Sequence, residues 1–177
     1  FANKIWNITR FVLSKLKGED GGSRIENSIR PSSILNSQPS SDPTLADKWI
    51  LSRYNRLAGE VDRLMRAYNF GEAGRQIQDF LWSEFADWYV EIAKVQLEGD
   101  AQRQQLTREV LYTALEGTLR LLHPFMPFVT EEAWQYLTSS QFSVLSSELD
   151  RTNQATQHSK LNTQHSIMVA PYPTADA

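Results

Sequence analysis

The chain has 177 residues, a formal net charge of −3, 41% apolar residues and no cysteine. This length and apolar content suit one domain with a packed core. The missing cysteine excludes disulfides, thiolate metal sites and cysteine nucleophiles. The negative mean hydropathy of −0.45 and the absence of an apolar run of roughly 18–20 residues predict a soluble protein. Because residue 1 is Phe and no signal-peptide pattern follows it, we interpret the chain as a piece of a longer protein.

The first predicted element is an amphipathic helix that opens with NKIWNITRF, residues 3–11. At about 100° per residue, its apolar side is Ile5, Trp6, Ile8, Thr9, Val12, Leu13 and Leu16. Its polar side is Asn3, Asn7, Arg10, Ser14 and Lys17. Phe11 falls at the edge of the polar side, next to Lys4 and Asn7, where an aromatic residue is unexpected. Residues 1–17 contain four cations and no acid, so this end of the chain is locally positive.

A surface that binds single-stranded nucleic acid needs cations for phosphate, planar groups for stacking and amides for base edges. One face of the first helix offers all three, through Asn3, Lys4, Asn7, Arg10 and Phe11. We take these five as the candidate RNA-binding residues. The alternative is an ordinary solvated helix face, with Phe11 covered by a neighbouring element.

Residues 18–43 are rich in Ser, Gly, Pro and Asn and are expected to form a mobile loop. A second helix is predicted from Thr44 to about Tyr68, with Thr44 as N-cap and Asp47 completing a near-capping box. Its apolar stripe is Ile50, Tyr54, Leu57, Val61, Leu64 and Tyr68.

A third helix is predicted to follow a tight turn, with Asn69 and Glu72 as a cap pair, and to run to about Leu97. Its buried stripe should be Ala73, Ile77, Phe80, Leu81, Trp88, Ile92 and Val95, widened by Trp82, Phe85 and Tyr89. The stretch 71–98 has six acids against Arg75 and Lys94, so we expect this helix to present an anionic face.

A fourth helix is predicted from an Asp100 cap to His123, where Pro124 and Pro127 stop it. Thr130 should then cap a short fifth helix, TEEAWQYL. Residues 139–165 are polar and expected to be poorly ordered. SIMVAPYP, 166–173, should be a short extended segment that either lies against the bundle or pairs with an element absent from this chain. The predicted fold is all-α, an up-and-down bundle of four long helices and a short fifth, forming one domain over 1–177.

The sequence has no pattern that indicates catalysis. It has no glycine-rich phosphate loop with the required strand and lysine, and no Glu-x-x-His pair for a di-iron site. We assign His123 to a helix C-terminus, where the dipole favours a cation. No catalytic residue, metal ligand or cofactor site is therefore predicted in this chain.

Five stretches carry a resemblance to a known family: NKIWNITRF, DKWILSRYNRL, YNFGEAGRQIQDFLWSEFADWYVEIAK, LHPFMPFVTEEAWQ and SIMVAPYP. In this order they resemble the anticodon-binding helical domain of class I valyl-tRNA synthetases. HPFMPFVTEE is shared with the isoleucyl and leucyl branches, whereas WSEFADWYVE is typical of the valyl branch, with Ala86 in place of the expected Cys. The resemblance covers the chain outside the two polar loops, and the first of these is longer than the family leads us to expect.

The resemblance implies a cytoplasmic domain that grips the anticodon stem and loop of valine tRNA, next to catalytic and coiled-coil domains of a longer enzyme. ATP and Mg²⁺ would be used by that catalytic domain, whose HIGH-like and KMSKS-like signatures this chain lacks. No membrane partner is implied. Two alternatives remain open: a structural bundle that links synthetase domains, and the same domain from an isoleucyl-tRNA synthetase.

Overall fold

The computed structural model describes residues 1–16, 42–149 and 166–175, with side chains described outside 139–149. The helices are α1 Ala2–Leu16, α2 Leu45–Arg66, α3 Phe70–Asp79, a π-helical segment Phe80–Tyr89, α4 Val90–Gln96, α5 Ala101–Leu122, α6 Pro127–Leu149 and a 3₁₀ turn Ile167–Val169. No β-strand occurs within the described ranges. The predicted all-α fold is confirmed. Residues 18–41 and 150–165 of the two predicted loops lie outside the described part of the chain.

Helix α5 is the centre of the bundle. It contacts α1, α2, α3, α4 and α6, and nearly all of its second half is buried. The predicted inner stripe is confirmed, since Leu106, Val110, Ala114, Gly117 and Leu121 are all buried. Asp100 accepts a hydrogen bond from the Arg103 amide, so the predicted N-cap is also confirmed.

Helix α2 begins as its sequence predicts. The Thr44 hydroxyl accepts from the Asp47 amide, and the Asp47 carboxylate accepts from the Thr44 amide, which makes a complete capping box. The end of the helix differs from the prediction, because the helix stops at Arg66 and Tyr68 has a positive φ of 57°. Tyr68 is therefore exposed rather than part of the buried stripe. Asn69 is the N-cap residue of α3, as predicted, but its side chain makes no capping bond, and Glu72 binds Arg75 instead.

The predicted third helix is continuous from 70 to 96 but changes its pitch over Phe80–Tyr89. In this π-helical segment, i→i+5 hydrogen bonds widen each turn, as when the Val90 amide donates to the Phe85 carbonyl. The wider turns shift the buried side. Phe85, Tyr89 and Ala93 are buried, while Trp88 and Val95, predicted to be internal, are exposed. The predicted buried stripe is thus correct up to Leu81 and for Phe85 and Tyr89, and it is wrong for Trp82, Trp88 and Val95.

Helix α6 begins earlier and ends later than predicted. It starts at Pro127, where proline suits the first helical position because its missing amide would lack a partner there. Thr130 is not the cap: its hydroxyl donates to the Met126 carbonyl and lies 2.8 Å from His123 Nδ1. The backbone is helical to Leu149, beyond the predicted end of the fifth helix. No glycine or proline interrupts that stretch.

The C-terminal segment lies against the bundle, one of the two predicted arrangements, but it is a single 3₁₀ turn with extended flanks rather than extended throughout. Ile167 and Pro173 are buried. Glu131 of α6 accepts from the Ser166 hydroxyl and the Ile167 amide, and Arg120 of α5 donates to the Pro171 carbonyl. The segment therefore crosses α6 and α5.

Candidate nucleic-acid interface

Helix α1 packs mainly on α5 and α6. Ile5, Ile8, Thr9 and Val12 are buried, and the Thr9 hydroxyl is satisfied by the Ile5 carbonyl at 2.9 Å. The opposite side of the same helix is consequently the outer surface of the bundle. We call this surface the α1 outer face and define it by Asn3, Asn7, Arg10 and Ser14, all of which are exposed.

The structure brings three of the five predicted RNA-binding residues together on the α1 outer face. Asn3, Asn7 and Arg10 follow one another at steps of four and three, which places them in one row along a helix. None of the three side chains forms a hydrogen bond or ion pair within the described part of the chain. Their amide and guanidinium groups therefore remain available to a ligand, with a fork of donors at Arg10 that suits phosphate or a base edge.

Lys4 is placed differently, at the seam between α1 and the π-helical segment. Its ammonium lies 2.7 Å from Asp87 Oδ1 and 3.9 Å from the centre of the Trp82 ring. The Phe1 ring stacks on the same indole, with centroids 6.3 Å apart. The Lys4 side chain is 24% exposed. This cation is thus already engaged by a carboxylate and an aromatic ring of its own chain.

Phe11 lies beside that seam, one turn further along the chain from Asn7. It is half-buried and packs on the edge of the core, so one part of the ring is covered and another meets solvent. The Lys94 ammonium lies 5.5 Å from the ring centroid and is ion-paired with Glu91 at 2.7 Å. This arrangement explains an aromatic residue at the edge of a polar helix face: the ring bridges the core and the surface. Its role in RNA binding stays a prediction.

The two tryptophans of the π-helical segment are exposed, which was not predicted from the sequence. Trp82 is 40% exposed and Trp88 is 67% exposed, although both were assigned to the core. The spacing of five and four residues between Phe80, Phe85 and Tyr89 is the sequence signal that indicates this change of pitch. In the structure these rings stack, with centroids 6.5 Å and 6.1 Å apart. Side chains five apart share a side only where the helix turns are wide, and the tryptophans then face outward.

Charge separates the two surfaces that meet at the seam. The acids of the third predicted helix include Asp79 and Asp87, both exposed, with Asp79 ion-paired to Arg75 of its own helix. Bonds from Arg75 and Gln76 lower the pKa of Glu72 to about 2. The anionic surface therefore stays charged at neutral pH and repels phosphate, whereas α1 contributes no acid.

A second cluster of charges, between α2 and the π-helical segment, is internally compensated. Arg53 donates to both carboxylate oxygens of Glu84, at 2.7 Å and 2.5 Å. The bond from Glu84 is the largest cause of a raised pKa for Arg53. This bidentate pair joins two helices, and we assign it to packing rather than to ligand binding.

The α1 outer face thus presents two amides and a cation on an all-α bundle. The chain matches the family described as the anticodon-binding domain of tRNA ligase over residues 47–177, and it belongs to that family. The matched range begins within α2, so α1 and its outer face precede it.

Curated relatives extend the likeness to the whole chain. A protein named valine–tRNA ligase from Dehalococcoides mccartyi (strain CBDB1) is 43% identical over 176 residues, covering 99% of this chain and 16% of that protein. The valine–tRNA ligase of Listeria monocytogenes is 42% identical over 96% of this chain and 18% of its own length. That of Bacillus subtilis (strain 168) is 43% identical over 84% of this chain and 16% of its own length. The chain thus spans less than a fifth of these relatives.

Within the described ranges, no helix is both long and apolar enough to cross a membrane.

Proposed function

We propose that this chain is the tRNA-binding module of a valine–tRNA ligase, which recognises the anticodon stem and loop of valine tRNA. It would support ATP-dependent aminoacylation by a cytoplasmic enzyme whose catalytic domain, with its ATP and Mg²⁺, lies outside these residues. The single observation that carries the proposal is the α1 outer face, where Asn3, Asn7 and Arg10 are exposed in one row without partners in the described structure. The amino acid is inferred from relatives that are named valine–tRNA ligase.

The proposed division of labour follows from the chemistry of each group. Valine anticodons share their second and third bases, adenine and cytosine, so a reader must distinguish those two. Asn3 and Asn7 can donate to and accept from base edges, and Arg10 can meet phosphate or a base edge. The exposed part of the Phe11 ring offers a stacking surface, which is worth roughly 1–3 kcal/mol per base.

The test is a filter-binding assay of this chain against purified valine, isoleucine and leucine tRNAs. We expect the tightest binding to valine tRNA, an affinity that falls steeply with salt, and a loss of about tenfold or more for Phe11→Ala. Arg10→Ala should also weaken binding. Ser14→Ala, on the same face but without a charged or aromatic group, is the matched control. Equal affinity for all three tRNAs, or unchanged binding by both variants, would refute the proposal.

A structural or docking bundle is the second candidate, and one observation favours it: Trp88 is largely exposed on a face that has no described partner. If docking is the main role, Trp88→Ser disrupts association with the other domains of the ligase and leaves tRNA binding unchanged. If the RNA role dominates, substitutions on the α1 outer face change tRNA affinity while Trp88→Ser does not. The two candidates therefore predict that different faces of the bundle are sensitive to substitution.

A further inference from the structure

Two of the predicted RNA contacts on the seam side of α1 are touched by charged residues of the neighbouring helix. Lys4 pairs with Asp87, and Phe11 lies under Lys94, which pairs with Glu91. By contrast, Arg10 has no partner in the described part of the chain. Helix α1 thus carries Arg10, which has no partner among the described residues, and Lys4, whose charge is compensated by Asp87.

The compensation at Lys4 is substantial but breakable. Its ammonium lies 2.7 Å from the Asp87 carboxylate and 3.9 Å from the centre of the Trp82 ring. The Trp82 carbonyl accepts a third, long hydrogen bond at 3.5 Å. Asp87 is 54% exposed, so water can solvate the carboxylate when the lysine leaves. Exposed ion pairs of this kind contribute little to stability, and a phosphate group offers the same ammonium a comparable partner.

We propose that Asp87 is a built-in competitor for RNA phosphate at Lys4, so that this ion pair must open before the RNA gains its contact with Lys4. The inference rests on the proposed function and adds a residue that tunes the affinity of the same face. Asp87 does not touch the RNA in this account; it acts by holding the lysine. Its removal therefore strengthens RNA binding, whereas the loss of a purely structural residue would weaken it or leave it unchanged.

The experiment measures the affinity of four forms of the chain for a valine tRNA transcript across a salt series. The forms are wild type, Asp87→Asn, Lys4→Met and the double variant. Asp79→Asn is the matched control, because it removes the same charge from the same anionic surface but pairs with Arg75 rather than with α1. Thermal melts establish that each form is folded.

We expect Asp87→Asn to bind about two- to fivefold more tightly than wild type near 0.15 M salt, which is the range for breaking an exposed ion pair. Its plot of log affinity against log salt should be steeper, by less than the roughly 0.7 of one full phosphate contact, because added salt also weakens the Lys4–Asp87 pair that wild type must open. Lys4→Met should bind more weakly than wild type, and the double variant should match Lys4→Met. Asp79→Asn should stay within twofold of wild type.

Three outcomes overturn the inference. Asp87→Asn could bind no better than Asp79→Asn, it could bind more weakly than wild type, or its gain could persist without Lys4. Each of these outcomes can be observed only if the wild-type chain binds valine tRNA, so each is distinct from a failure of the proposed function. A wild-type chain that binds all tRNAs equally overturns the proposed function. A wild-type chain that binds no tRNA overturns both the proposed function and the assignment of Asp87 as a competitor.

Discussion

The Tyr89 hydroxyl donates a 2.8 Å hydrogen bond to the fully buried carboxylate of Asp47. The other oxygen of that carboxylate accepts from the Thr44 amide and from Arg103. One side chain therefore ties together the start of α2, the end of the π-helical segment and the start of α5. Desolvation and the nearby charge of Asp47 raise the pKa of Tyr89, so the phenol remains a donor.

Tyr89→Phe should destabilise the bundle by about 1–3 kcal/mol, because it leaves a buried carboxylate oxygen without its donor. Urea denaturation measures the free energy of unfolding. Tyr68→Phe is the matched control, since it removes the same hydroxyl from a largely exposed residue and should cost less than about 0.5 kcal/mol. Equal losses for the two variants would mean that the network does not stabilise the fold.

The register of the π-helical segment can be tested with two aromatic truncations. Phe85→Ala should cost about 3–5 kcal/mol of unfolding free energy, because Phe85 is completely buried. Trp88→Ala should change it by about 0.5 kcal/mol or less, because that ring is mostly exposed. An uninterrupted α-helix places Trp88 inside, so a larger loss for Trp88→Ala than for Phe85→Ala would contradict the register described here.

The contrast between α2 and the π-helical segment shows what local sequence can specify. The capping box at Thr44 was predictable because its bonds lie within four consecutive residues. The change of pitch over Phe80–Tyr89 depends on how the rings pack in the tertiary fold, and its local sign is the spacing of five and four residues between Phe80, Phe85 and Tyr89. A constant period of 3.6 residues therefore assigned Trp88 to the core and failed where the turns widen.

Close approach between α2 and α5 depends on Gly117. A Cβ atom at residue 117 would lie well within 3.0 Å of the Tyr54 hydroxyl and ring, so Gly117→Ala should destabilise the protein by about 1–3 kcal/mol through overpacking. Gly71→Ala is the control: nothing lies within 4 Å of its added Cβ, and a helical alanine should leave stability unchanged or raise it by up to about 1 kcal/mol. Thermal denaturation of both variants measures the effect, and a neutral Gly117→Ala would show that the Tyr54 side chain can move aside without cost.

Glu116 predicts a pH dependence of stability. Burial is the largest cause of its raised pKa, and the neighbouring Arg120 opposes it. A carboxyl with a folded-state pKa above its unfolded value of 4.5 stabilises the fold below that value and loses this contribution as pH rises through the folded-state pKa. The difference in unfolding free energy between wild type and Glu116→Gln should therefore fall between pH 4 and pH 7. Urea titrations at several pH values measure it, and a difference that rises with pH would contradict the assignment.

The candidate interface could be predicted only in part from the sequence. The helical period placed Asn3, Asn7 and Arg10 on one face, and they are exposed there. The partners of Lys4 and Phe11 could not be predicted, because Asp87 and Lys94 lie more than 80 residues away along the chain and meet α1 only through the tertiary fold. The sequence indicated a cationic segment and an anionic one, but not that they share a seam.

The central claim is that this chain reads the anticodon, and one comparison tests it most directly. The affinity of the chain is measured for a valine tRNA transcript and for the same transcript with the second anticodon base changed from adenine to uracil. Because the rest of the two RNAs is identical, only recognition of that base can separate them. We predict a loss of about tenfold or more, because a good bidentate pair of hydrogen bonds to one base edge is worth about 1–3 kcal/mol of discrimination against the wrong base. Equal affinity for the two transcripts would contradict anticodon recognition by this chain.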